Sequence, residues 1–93
     1  MAIARRIADA RYREELIGLI DGANTTFTSS MNFDRTRLGH EEWVLYNGQW
    51  MREGVGNDYV ASESGGVGTG YDTIVTIFVP RPGDVLEIIY VPS

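Results

Sequence analysis

Only one histidine is present, His40, followed by Glu41 and Glu42. A general base needs an orienting partner and a nucleophile within reach. Without cysteine or a second histidine to join it, His40 reads as a solvated loop residue. Four carboxylates, Glu53, Asp58, Glu63 and Asp72, flank a glycine-rich stretch and invite a calcium reading, because calcium takes clustered oxygen ligands on loops. Their spacing fits no compact ligand loop, so a solvated acidic rim is the expectation, with no metal. The run Gly65-Gly66-Val67-Gly68-Thr69-Gly70 has the glycine density of a phosphate cradle. It lacks the Gly-Lys-Ser/Thr ending and the strand-to-helix setting that such a cradle requires. Trp43, Tyr46, Trp50, Tyr59, Tyr71 and Tyr90 are of the types that stack on sugars or bases, yet in a small β protein they serve first as core and cross-strand packing. No catalytic constellation and no cofactor site follow, and the expectation is a protein that is not an enzyme.

The elements that would carry these residues are mainly strands. An Asn-Gly pair between apolar runs, as at Glu42–Trp50, is a strong hairpin signal, since a type I′ turn needs positive φ at both central residues. On the period-two rule Trp43, Leu45 and Trp50 would face inward. The run 73–79 is the most strand-like in the chain and stops at Pro80 and Pro82; Gly83-Asp84 then turns into a last strand, 85–91. Residues 16–20 and 24–28 read as a further hairpin around Asp21-Gly22, and 58–60 as a short strand. The segment 29–40 reads as a connection, tacked down by Met31, Phe33 and Leu38, and 61–70 as a glycine-rich loop, mobile or ordered at an interface. Six or seven short strands with turns between them predict a small antiparallel β-sandwich over residues 16–93.

Residues 1–15 predict a different element, a helix or helical arm, with Ile3, Ile7 and Ala10 at helical spacing. That apolar stripe is too thin to hold a short helix alone in water, so it must dock on something. Charge is polarised the same way. Residues 1–13 hold Arg5, Arg6, Arg11 and Arg13 against Asp9, whereas residues 14–93 sum to −8, for a net −5. All eight basic residues are arginine, which suits bidentate contact with carboxylates, and the acidic body would repel a nucleic acid. Ile3, Arg5, Arg6, Ile7, Arg11 and Arg13 are therefore the candidate partner-binding residues. At 93 residues, 43% hydrophobic and 23% charged, the chain is one ordinary globular domain at most. Nothing approaches the ~18 apolar residues of a membrane span, and no export signal is expected at the start.

Four stretches, in order, carry a resemblance. Asp21-Gly22-Ala23-Asn24-Thr25-Thr26-Phe27, Val44-Leu45-Tyr46-Asn47-Gly48, Asn57-Asp58-Tyr59-Val60, and the closing pair 73–78 with Pro80-Arg81-Pro82-Gly83-Asp84-Val85-Leu86-Glu87-Ile88-Ile89-Tyr90 resemble the small β-sandwich structural proteins of tailed bacteriophage virions. Together they cover residues 20–91. The resemblance implies a non-enzymatic virion component of the neck, collar or head–tail region, assembled in the host cytoplasm. It would form a homo-oligomer on neighbours such as portal, connector or tail proteins. It carries over no catalytic residues, and the arginine-bearing arm lies outside the shared pattern. A competing expectation is a carbohydrate- or receptor-binding module of a tail fibre, with Trp50, Tyr59 and Tyr71 as its platform; a capsid decoration protein is a third.

Overall fold

In a computed structural model, which describes residues 11–93, the chain forms seven antiparallel strands in two sheets. They are β1 (Tyr12–Glu15), β2 (Thr26–Phe33), β3 (Trp43–Tyr46), β4 (Gln49–Trp50), β5 (Tyr59–Ser62), β6 (Tyr71–Thr76) and β7 (Leu86–Tyr90). Sheet A has the order β1-β7-β3-β4 and sheet B the order β2-β6-β5. The sandwich is closed along its seams by single bridges: Ile17 pairs with Thr28 of β2, Phe33 with Pro92, and Glu53 with Tyr59 of β5. Edge strands expose unpaired backbone groups, and these bridges pair part of what would otherwise be left open.

The core follows from strand alternation. Val44, Leu86, Ile88 and Tyr90 come inward from sheet A, and Phe27, Phe33, Tyr59, Ala61 and Ile74 from sheet B. Phe33 meets Tyr90 edge-on with ring centroids 6.1 Å apart, which joins the two layers.

The Asn-Gly hairpin forms as its sequence requires. Asn47 has φ 51° and Gly48 φ 83°, and Leu45 pairs with Trp50 across the turn. A second turn clamps it. The Asn47 amide donates to Val85 O at 2.8 Å, the Val85 amide donates back to Asn47 Oδ1 at 2.8 Å, and the Tyr46 hydroxyl and Asn47 Nδ2 both donate to the Asp84 carboxylate. Bonds from the Tyr46 hydroxyl, the Arg81 amide and Asn47 Nδ2 hold Asp84 below the usual carboxylate range. The Tyr-Asn-Gly and Pro-Gly-Asp stretches are thus two halves of one locked corner. Replacing Gly48 by valine puts a β-branched residue at positive φ. That should cost about 1–2 kcal/mol, measured as a lower midpoint in thermal unfolding.

Four expectations are corrected here. Tyr12–Glu15 is not the end of a helix but strand β1, in register with β7 from Tyr12↔Tyr90 to Glu15↔Glu87; residues 1–10 of the expected helix lie outside the described residues. The hairpin of 16–20 with 24–28 shrinks to one pair, because Gly18 turns the chain away at φ 151° and a Cβ there would stand 2.7 Å from Phe27 Cδ1. Ser29–Phe33, expected as connection, continues β2, with a register shift between Thr28 and Phe33. The run expected over 73–79 is a strand over Tyr71–Thr76, after which the Phe78 ring packs at a tilt against Tyr46, centroids 4.6 Å apart.

Candidate docking surface

The expectation that Trp43 and Trp50 face the core is overturned. Both project from the outer face of sheet A, 39% and 63% exposed, with their rings edge to face at 5.1 Å. Parity is set by their neighbours. Glu42 and Val44 take the buried side, and this sends Trp43 outward. Leu45, in register with Trp50 and two residues from Trp43 on the same strand, is 8% exposed despite its outward parity.

Arg11 lies on this cluster. Its guanidinium carbon stands 4.1 Å over the Trp43 ring, and its nitrogens donate to Glu41 O at 3.0 Å and to Gly39 O. A guanidinium held by two carbonyls above an indole is a cation–π contact with little freedom to leave. Arg13, two residues on, forms a bidentate pair with Glu87, with Nη2 to Oε1 at 2.9 Å. Two of the six expected partner-binding residues are therefore engaged within the domain itself. Ile3, Arg5, Arg6 and Ile7 lie outside the described residues.

The second concentration of charge is at the end of the sandwich. Arg35 reaches inward, with Nε 2.8 Å from Glu42 Oε1 and Nη2 3.3 Å from Glu53 Oε1. The Nε contact is an ion pair whose angle falls outside hydrogen-bond geometry. Glu42 also accepts from the Tyr59 hydroxyl at 2.8 Å, and burial followed by the Glu42 charge pushes the Tyr59 phenol far up. Beside this network an open cavity of about 250 Å³ is lined by Phe33, Asp34, Arg35, Glu63 and Tyr71, among others. The charged side chains Asp34, Arg35 and Glu63 of its wall are engaged within the fold. Asp34 accepts from the Thr36 hydroxyl and amide and contacts His40 Nδ1 at 2.9 Å, which together hold it down to about 2. Glu63 accepts the Gly68 and Gly70 amides and laces the glycine-rich loop into a turn.

The remaining residues singled out in the sequence are dispersed. Of the four carboxylates considered for calcium, Glu53 faces Arg35, Asp58 caps the Arg52 amide, Glu63 holds its own loop and Asp72 accepts from Ser64. Among the described residues no three potential ligands gather into a metal site. The platform of Trp50, Tyr59 and Tyr71 is not formed, because Tyr59 is 2% exposed and bonded to Glu42. Sequence reasoning met Glu42 only as a neighbour of His40 and the start of the hairpin stretch, and missed its pairing with Arg35. No described helix is long and apolar enough to cross a membrane. No protein-family model, no curated protein and no solved structure matches this chain significantly.

Proposed function

We propose that this chain is a non-enzymatic structural component of a tailed-phage virion. It would act at the neck, collar or head–tail region as a homo-oligomer seated on portal, connector or tail proteins. Its place in a virion rests on the ordered set of sequence stretches described above. Its role in assembly is carried by one observation: the two tryptophans of the chain sit together on an exposed sheet face, at the root of the arginine-bearing N-terminal segment. A small domain has little stability to spare, and subunits that bind only its folded form raise it.

Antibodies raised against the purified chain should label particles of the phage that encodes it at the head–tail junction. Labelling confined to fibre tips, with tryptophan emission quenched by glycans, would instead favour a receptor-binding module using Trp43 and Trp50.

A further inference from the structure

We propose that the outer face of sheet A around Trp43 and Trp50 is covered by residues 1–10 of a second copy of this chain. The proposal rests on the homo-oligomer reading above and names the two surfaces that meet.

Residue 11, to which the segment is joined, lies beside the tryptophan pair. Arg11 is fixed against Trp43 by its ring contact and its two carbonyl partners, so the described chain starts at the margin of the tryptophan pair. Ten residues span at most about 36 Å extended and about 15 Å as a helix, while neighbouring strands are only ~4.8 Å apart. In either conformation the segment can cross a face of four strands.

Segment and face are complementary in charge and polarity. Residues 1–10 hold Ile3, Ile7 and four alanines for an apolar surface, with Arg5 and Arg6 against the single Asp9, a side-chain charge of +1. Residues 11–93 hold six arginines and twelve carboxylates, a charge of −6. On the face itself Glu87 is taken by Arg13. Glu15, opposite Glu87 in the register and on the same side of the sheet, is exposed and available to an incoming arginine. Indole faces accept guanidinium as well as aliphatic groups, so both residue classes of the segment find a partner.

The exchange also closes on itself. Because root and acceptor face are adjacent, two copies that bring their A sheets together place each segment beside the other's tryptophans. Such an exchange satisfies every segment and every face with one self-complementary contact. Folding back onto its own sheet would cover the face but leave the assembly without this seam.

The chain has only two tryptophans, and both lie on this face, so intrinsic emission reports on it alone. Emission of the full chain should shift to the blue as concentration rises, over the same range in which light scattering shows the mass increasing. A chain lacking residues 1–10 should stay monomeric and red-shifted throughout. Adding a full-length Trp43→Phe/Trp50→Phe variant, which supplies the segment but no signal, should shift the truncated chain to the blue. A blue shift independent of concentration, lost on truncation and not restored by the tryptophan-free partner, would mean that each segment covers its own sheet and would overturn the proposal. A truncated chain that still associates with unchanged emission would overturn this placement while leaving the homo-oligomer reading intact. A full chain that is monomeric at every concentration would sink both.

Discussion

Replacing Arg35 by alanine is expected to destabilise the fold by about 3–5 kcal/mol, the range found when one partner of a buried ion pair is removed. Glu42 is the reason. Its side chain is 1% exposed, and Arg35 is the positive charge beside it, at 2.8 Å. Without the guanidinium its carboxylate keeps only the Tyr59 hydroxyl and must either stay charged in the interior or take up a proton at a cost. A domain of this kind has about 5–15 kcal/mol in total, so the thermal midpoint should fall by about 4–8 °C per kcal/mol lost. The triple change Arg35→Met, Glu42→Leu, Tyr59→Phe removes the charge and both of its partners together. It should recover most of the loss, because a buried ion pair is roughly matched by well-packed apolar groups. If Arg35→Ala alone moved stability by less than about 1 kcal/mol, the range of a surface ion pair, the network would have to be counted as solvated.

The second large effect concerns the N-terminus. Removing residues 1–10 should leave the fold intact, whereas removing residues 1–15 should abolish its cooperative melt. Between those ends lies β1. Tyr12–Glu15 supply the ladder along one side of β7, and the Glu14 carboxylate accepts from the Tyr90 hydroxyl at 2.7 Å and from the Ser30 amide at 2.9 Å. Each ladder bond contributes about 0.5–1.5 kcal/mol net. Tyr90, fully buried, would lose both its hydroxyl partner and the Tyr12 ring 6.1 Å away. A deletion through residue 13, which a helical arm would tolerate, cuts β1 in half. Circular dichroism across the three truncations separates these outcomes.

How much of this was written in the chain depends on whether the deciding interaction is local. The Asn47-Gly48 turn was legible because positive φ is a local demand that few residue types meet. The last strand was legible for a related reason, as Gly83-Asp84 stops one direction and an apolar run starts the next. The fate of Tyr12–Glu15 was not. Its residues carry no strand alternation of their own, and pairing with β7, more than seventy positions away, outweighs the helical spacing of the preceding isoleucines and alanines. The orientation of Trp43 was hidden for a similar reason. Period two says which residues share a face, but which face is buried was decided by Glu42 meeting Arg35 and Tyr59. Of the candidate surface, the sequence pointed to Arg11 and Arg13 as partner-binding residues, but not to their contacts within their own domain or to Trp43, over which Arg11 lies.

The proposed homo-oligomer is open to a direct measurement of mass in solution. Light scattering behind size exclusion, across a range of salt concentrations, tests it most directly. A homo-oligomer held partly by arginine contacts should show a defined mass at low salt that falls as salt screens those contacts over less than about 10 Å. A monomer at every salt and protein concentration would contradict it.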